Sequence, residues 1–214
     1  MNDHQIKHAL ELLDTHYETF YKAQPLAVET DHPVPVDTRA WSQILASVLT
    51  GIKGLKREKG ADLADGSDVK GANTWEAIDT PRFNGVIKAG TQSETAGKLE
   101  SLDDMPYLFL VLWDNAPETN NARCRIWCVR PQHDKLFREM CAKWYEQRDS
   151  GEIRSNNFQL HPPRNKNSNV IRNTCGNFEY PLLFQAERIN NEYQVVVCDE
   201  SVLRSGACKN ISDH

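Results

Sequence analysis

The most apolar run of the chain is eight residues long and extends from Pro106 to Trp113. It begins at a proline and is followed by the turn-forming pair Asp114-Asn115. A short apolar run between two such boundaries predicts a central β-strand buried on both faces rather than a helix. Other elements of the chain must then cover both faces of the sheet that contains this strand.

The rest of the pattern predicts an α/β fold, with a central mixed β-sheet flanked by helices, in one domain over residues 1–214. Residues 123–129 alternate in polarity and predict a neighbouring strand with Arg123 and Arg125 facing outward. A peripheral helix and a proline-rich extended linker are expected over residues 1–36. Apolar spacing and turn signals predict helices over 3–22, 37–53 and 131–150, a surface loop over 88–104, and strands over 61–64, 67–75, 180–187 and 192–198.

A short charged stretch follows the second predicted helix. Asp68 and Lys70 are two residues apart, so in an extended strand both side chains leave the same face. Asp62 lies six residues before Asp68, with the tight-turn pair Asp65-Gly66 between them. Two acids and a lysine at the end of a short hairpin are sufficient to hold a hard divalent cation and cut a phosphodiester. The same pattern is also typical of a solvated hairpin tip.

The hairpin interpretation leaves the position of Asp62 open. In a regular two-residue hairpin Leu63 faces Asp68, which directs Asp62 to the face opposite Asp68. The two acids meet only if the loop has three residues, or if a bulge or bend resets the register. Asp65 is therefore an alternative metal ligand, and Glu58 is a possible ligand for a second metal.

With a helix before it, the pattern Asp62…Asp68-x-Lys70 resembles the signature of the PD-(D/E)XK nucleases, and specifically of the type II restriction endonucleases. Ala61 stands where that signature has proline, and Asp68 stands where Glu is common; both departures occur within the family. The resemblance implies a restriction-endonuclease-like core. It also implies that Asp62, Asp68 and the Val69 carbonyl bind Mg²⁺, and that the catalytic Lys70 stands beside the attacking water.

A second informative stretch spans residues 154–173, which the sequence predicts to be a long loop. It is rich in asparagine and contains basic residues but no acid, so its local charge is about +4 in a chain whose net charge is −5. Long loops in compact domains are commonly functional. Asn and Gln can bond adenine, Arg can bond guanine, and Lys and Arg reach phosphates. Asn-rich segments are also good turn formers, which is the simpler explanation.

The candidate DNA-binding residues lie in this loop and in the segment that follows the motif, residues 73–88. They are Asn73, Arg82, Asn84, Asn156, Asn157, His161, Arg164, Asn165, Lys166, Asn169, Arg172 and Asn173.

Composition narrows the class of protein. A net charge of −5 argues against nonspecific coating of nucleic acid but is compatible with one basic cleft. The sequence has no apolar run long enough to span a membrane and no signal-peptide pattern, so a cytoplasmic protein without a membrane partner is expected.

The sequence therefore predicts a Mg²⁺-dependent type II restriction endonuclease that cuts specific sites in double-stranded DNA. Short palindromic sites call for a two-fold symmetric homodimer, and a companion DNA methyltransferase is expected in the same system. Two alternatives stay open: a structure-specific repair or junction nuclease, and a DNA-binding module without catalysis.

Overall fold

The computed structural model describes residues 1–30, 37–55, 60–75, 77, 80–88 and 99–211. The helices are α1 (Asp3–Glu29), α2 (Arg39–Thr50), α3 (Glu100–Asp103), α4 (Lys135–Asp149) and α5 (Ser201–Ser205). The strands are β1 (Asp68–Asn73), β2 (Phe83–Lys88), β3 (Leu108–Asn115), β4 (Ala122–Val129), β5 (Asn157–Leu160), β6 (Val170–Asn173), β7 (Gly176–Glu179), β8 (Leu182–Ile189), β9 (Glu192–Cys198) and β10 (Lys209–Asn210).

The central sheet has five strands in the order β1-β3-β4-β8-β9. β1 is parallel to β3, and the other neighbours are antiparallel, so the sheet is mixed. The apolar run forms β3, whose residues from Leu108 to Asp114 are all buried. The prediction of a central strand buried on both faces is therefore confirmed.

Two apolar layers cover the two faces of this sheet. On one face, α1 and α2 pack against alternate residues of β3, including Phe109 and Val111. On the other face, α4 and the paired strands β2 and β5 pack against Leu110 and Leu112. The alternation of side chains along a strand produces this division. The predicted α/β fold, a mixed sheet flanked by helices, is confirmed.

The predicted linker after the first helix is wrong over part of its length. α1 continues through Pro25 to Glu29, although a proline inside a helix removes one backbone hydrogen bond. The helix continues because Phe20 and Ala27, on either side of the proline, are both buried in the protein. Residues 31–36 of the predicted linker lie outside the described residues.

The predicted loop over residues 154–173 is also wrong, because the segment contains β5 and β6. β5 pairs antiparallel with β2, a strand that the sequence pattern did not predict. β6 pairs with β7, and a backbone bridge joins His161 to Arg172. The β2–β5 pairing joins residues far apart in sequence, so local polarity gave no sign of it, whereas β6 and β7 pair with each other locally.

Arg123 and Arg125 do not face outward; they are 3% and 1% exposed. Arg123 Nε donates to Asp114 Oδ1 at 2.9 Å, and an Arg125 amino group donates to Asp114 Oδ2 at 2.8 Å. Other N–H groups of the two guanidiniums donate to the carbonyls of Lys166 and Ser168, at 2.7 and 3.0 Å. The alternation of polarity separates the two faces of a strand, but it does not show which face is exposed to solvent. Here the segment around Ser168 covers the face that carries the two arginines.

Within the described part of the chain, no helix is both long enough and apolar enough to cross a membrane.

Candidate active site

Asp68 and Lys70 lie on β1, and their side chains leave the same face of the strand. Lys70 Nζ is 2.6 Å from Asp68 Oδ2. The Asp68 side chain is 8% exposed and that of Lys70 is 21% exposed, so the ion pair is largely withdrawn from water but still accessible. The expectation that an extended segment would bring these two groups together is confirmed.

Asp62 joins them through an irregular turn rather than a regular hairpin. The N–H groups of Asp62 and Leu63 both donate to the Ser67 carbonyl, at 3.1 and 3.0 Å, and Gly66 N–H donates to the Leu63 carbonyl. Because two consecutive N–H groups share the Ser67 carbonyl, the pairing across this turn is shifted from that of a regular two-residue hairpin. The Asp62 carboxylate consequently reaches the backbone N–H of Val69, with Oδ2 accepting at 2.9 Å. Asp62 was expected to meet Asp68 if a bend reset the register of the hairpin, and this turn provides such a bend.

The strand predicted over residues 61–64 is not formed. Leu63 makes an isolated antiparallel bridge to Gly54, and the residues around it are turns and bends.

The Val69 amide is the point at which the two carboxylates converge. Its N–H lies 2.9 Å from Asp62 Oδ2 and 3.1 Å from Asp68 Oδ1, so one donor serves two acids. Asp68 N–H and Thr74 N–H donate to carbonyls of the β3 segment, which means that the even-numbered residues of β1 face β3. Val69, with the opposite parity, therefore directs both its N–H and its carbonyl to the open edge beside Asp62.

The electrostatics of this pair favour a bound cation. The pKa of Asp68 is raised from 3.8 to about 7; burial is the largest cause, Asp62 adds to the increase, and Lys70 opposes it. A cation between the two carboxylates would remove the repulsion that now favours a proton there. Carboxylate and carbonyl oxygens are the ligands that Mg²⁺ prefers. Asp62, Asp68 and the Val69 carbonyl thus fit a divalent metal, although no group of three His, Cys, Asp or Glu side chains gathers anywhere among the described residues.

Gln43 is a member of the site that the sequence did not indicate. It lies on α2, and its side-chain Nε2 donates to Asp62 Oδ1 at 2.6 Å. This bond leaves Asp62 Oδ2 directed at Val69 N–H and fixes the carboxylate between helix and strand. A polar residue on an amphipathic helix carries no sequence signal of such a contact, because the partner is 19 residues away.

Asp65, the alternative metal ligand, takes no part in this arrangement. The Asp65 carboxylate accepts hydrogen bonds from Ser67 N–H and Ser67 Oγ, both at 2.9 Å, and so stabilises the turn. Glu58 lies outside the described residues.

The candidate DNA-binding segments 73–88 and 154–173 are brought together by the pairing of β2 with β5. Asn84 lies directly opposite Gln159 in this pairing, and Phe83 lies opposite Leu160. Arg82, Asn84, Asn157, Arg164 and Lys166 are exposed.

The side chains of several of the candidate asparagines instead make hydrogen bonds to other residues of the same chain. Asn169 Oδ1 accepts from Trp127 Nε1 at 3.0 Å, and Asn156 Oδ1 accepts from the Arg148 guanidinium. Asn73, Asn165 and Asn173 each accept a backbone N–H two residues further along the chain. This is the turn-forming use of asparagine.

His161 and Arg172 are half-buried and exchange two backbone hydrogen bonds, at 2.8 and 3.0 Å. The Arg172 guanidinium donates to the Pro162 carbonyl. The pKa of His161 is lowered, mainly by burial and further by the charge of Arg172. These two residues therefore hold the base of the 161–172 segment.

A mixed sheet flanked by helices, with Asp68 and Lys70 on its edge strand and Asp62 in the turn just before it, defines a restriction-endonuclease-like protein. A model of the MamI restriction endonuclease family matches residues 25–198. The chain belongs to this family. It is 34% identical over 177 residues to "Type II restriction enzyme MamI" of Microbacterium ammoniaphilum, a match that covers 76% of this chain and 56% of the relative. The chain thus spans about half the length of the curated relative that it matches. No solved structure matches the chain.

Proposed function

We propose that this protein is a type II restriction endonuclease that hydrolyses phosphodiester bonds at specific sequences in double-stranded DNA and requires Mg²⁺. The observation that carries the proposal is the meeting of Asp62, Asp68 and Lys70 at the open edge of β1. The family of the chain and the printed name of its relative support the same activity.

Asp62, Asp68 and the Val69 carbonyl would hold the Mg²⁺ ion. When bound, Mg²⁺ polarises the scissile phosphate and makes water a better nucleophile at neutral pH. The two carboxylates supply the negative charge that binds the ion, and Gln43 keeps Asp62 aligned through its 2.6 Å hydrogen bond.

Lys70 supplies positive charge beside the attacked phosphate. Its ammonium is held by Asp68 at 2.6 Å, so it is already positioned before the substrate arrives. A preorganised cation of this kind stabilises the negative charge that develops in the transition state. Lys70 also helps to orient the attacking water through its N–H donors.

DNA would be bound by the surface that β2, β5 and the 161–169 segment form. Its exposed cations Arg82, Arg164 and Lys166 suit phosphates. A palindromic site would require two copies of the chain related by two-fold symmetry, and we therefore propose a homodimer. A companion methyltransferase that protects the same site is part of the proposal.

A digest of plasmid DNA by the purified protein tests this function. We expect Mg²⁺-dependent cleavage at one short sequence, with defined ends on sequencing, and complete loss of cleavage in EDTA. Cleavage only at nicks or branched junctions would favour the structure-specific nuclease instead. DNA binding with no strand scission under any divalent metal would favour the non-catalytic binding module.

A further inference from the structure

The strands β2 and β5 form a two-stranded ribbon with one apolar and one polar face. Phe83 and Leu160 are paired across the ribbon, and both are completely buried. The next pair along, Asn84 and Gln159, points to the opposite face because side chains alternate. Directly opposed residues have Cβ atoms about 4.5–5.5 Å apart, so the two amides lie side by side.

Among the described residues, these two amides have no hydrogen-bond partner. Asn84 is exposed and Gln159 is half-buried, and neither side chain makes a hydrogen bond within the part of the chain that the structure describes. They differ in this respect from Asn169 and Asn173, whose side chains are held by internal bonds. As far as the described residues go, the side-chain donors and acceptors of Asn84 and Gln159 are left for a ligand.

The ribbon lies on the face of the sheet that carries the active site. Ala72 of β1 has the same parity as Asp68 and Lys70, so its side chain leaves the same face. Ala72 packs in one apolar cluster with Phe83 and Leu160. The ribbon is thus anchored next to the catalytic strand, only two residues, about 7 Å, beyond Lys70.

Charge around the ribbon is suited to DNA. Arg82 precedes Asn84 and is exposed, and the exposed Arg164 follows β5. The segments 80–88 and 153–173 contain no acidic residue. A two-stranded ribbon is also narrow enough to enter the major groove.

We propose that Asn84 and Gln159 read adenine bases in the major groove of the DNA, each amide bonding the N7 acceptor and the N6 amino group. This inference rests on the proposed function and adds to it the base that the ribbon recognises. An Asn or Gln amide matches adenine because it offers one donor and one acceptor in the required geometry. Asn173 supports this pair, because its side-chain Nδ2 donates to the Gln159 carbonyl at 2.7 Å.

Replacement of adenine by 7-deazaadenine tests the inference, because the analogue keeps base pairing and lacks the N7 acceptor. The site is first found by sequencing the ends of a plasmid digest, and duplexes are then made with one adenine replaced at a time. At each adenine that one of the two amides reads, we expect wild-type cleavage to fall about 5–150-fold, the equivalent of one lost base contact. The double variant Asn84→Ala/Gln159→Ala should cut the analogue and the natural duplex at equal rates.

If the double variant cuts slowly, its affinity for the natural and the 7-deazaadenine duplexes is measured instead, by equilibrium binding in EDTA. The same comparison is made for the wild type. Gln194→Ala, which removes an exposed glutamine on the far edge strand β9, should retain the full wild-type sensitivity. Thermal melting checks that each variant is folded.

A double variant that is as sensitive to 7-deazaadenine as the wild type would overturn the inference, and so would a wild type that is insensitive at every adenine. Both results would leave the proposed function standing. A wild type that cuts no duplex would overturn the proposed function, and the inference with it.

Discussion

The protein contains two clusters of opposite charges on the same sheet, and they are built differently. In the inner cluster, Asp114, Arg123 and Arg125 are all at most 3% exposed. Each guanidinium bonds the Asp114 carboxylate and also a backbone carbonyl. In the edge cluster, Asp62 and Asp68 share one N–H, and the single lysine that pairs with Asp68 is partly exposed.

We infer from this difference that the inner ion cluster is structural and that the edge cluster is the reactive one. Buried charges contribute to a stable fold only if they are paired and hydrogen-bonded. The inner cluster meets this condition, and it ties the 166–168 segment to β4. In the edge cluster, burial and then the neighbouring Asp62 raise the pKa of Asp68 against the opposing effect of Lys70. The two acids outnumber the lysine that pairs with Asp68, an arrangement suited to a bound cation. We therefore expect changes in the edge cluster to alter activity and changes in the inner cluster to alter stability.

The largest effect should follow removal of the edge charges. Asp68→Ala should reduce cleavage below detection, since it removes a metal ligand, and Lys70→Ala should reduce the cleavage rate by about 10²–10³-fold. Single-turnover cleavage at saturating Mg²⁺ measures both. Lys209→Ala, at an exposed lysine far along the chain, serves as the control. Near wild-type cleavage by either edge variant would remove the catalytic assignment.

Asp114→Asn should destabilise the protein by about 3–5 kcal/mol, because it leaves two buried guanidiniums without their counter-charge. Urea unfolding followed by circular dichroism measures the change. Glu179→Gln, at an exposed acid on β7, should stay within about 0.5 kcal/mol of the wild type. An Asp114→Asn protein as stable as the wild type would mean that the inner cluster is not structural.

The metal-free protein should become more stable when the charge of Asp68 is removed. Its pKa is about 7 in the folded protein and 3.8 as the reference value, so the folded state binds the proton more tightly. Stability is then lost as pH rises from about 4 to about 7. Asp68→Asn should be the more stable protein at pH 8 in EDTA, by at most about 4 kcal/mol for a shift of this size.

The stability gap between Asp68→Asn and the wild type should narrow as pH falls toward 4, and Mg²⁺ should stabilise the wild type alone. Urea unfolding at several pH values measures both effects. If the difference in stability between Asp68→Asn and the wild type is the same at every pH, ionisation of Asp68 is not its cause.

The smallest of these effects is expected for Gln43→Ala. Loss of the bond to Asp62 should weaken the apparent Mg²⁺ affinity about 10–100-fold, as is usual for groups that orient a ligand. Cleavage at saturating Mg²⁺ should be nearly unchanged, which distinguishes positioning from catalysis. A titration of Mg²⁺ against cleavage rate, with Gln194→Ala as control, measures it. If Gln43→Ala needs no more Mg²⁺ than the wild type for half-maximal cleavage, Gln43 does not position Asp62 for the metal.

The sequence predicted those features of the fold and the site that depend on local pattern. The apolar run predicted β3, and period-two alternation placed Asp68 and Lys70 on one face. Hairpin geometry alone did not bring Asp62 to them; the resemblance to the nucleases did, and the irregular turn at Ser67 explains how.

The features that the sequence missed depend on contacts between distant segments. Pairing of β2 with β5 and the bond from Gln43 to Asp62 leave no periodic signal. The orientation of Arg125 was predicted wrongly because arginine usually faces water, and only Asp114 and the covering segment make its burial possible.

Anomalous diffraction from a crystal soaked in Mn²⁺, which substitutes for Mg²⁺ at oxygen sites, tests the central claim most directly. We predict one strong peak within bonding distance of Asp62, Asp68 and the Val69 carbonyl, and its absence in Asp68→Asn crystals. A peak elsewhere in the protein, or none beside these three groups in the wild type, would contradict the account.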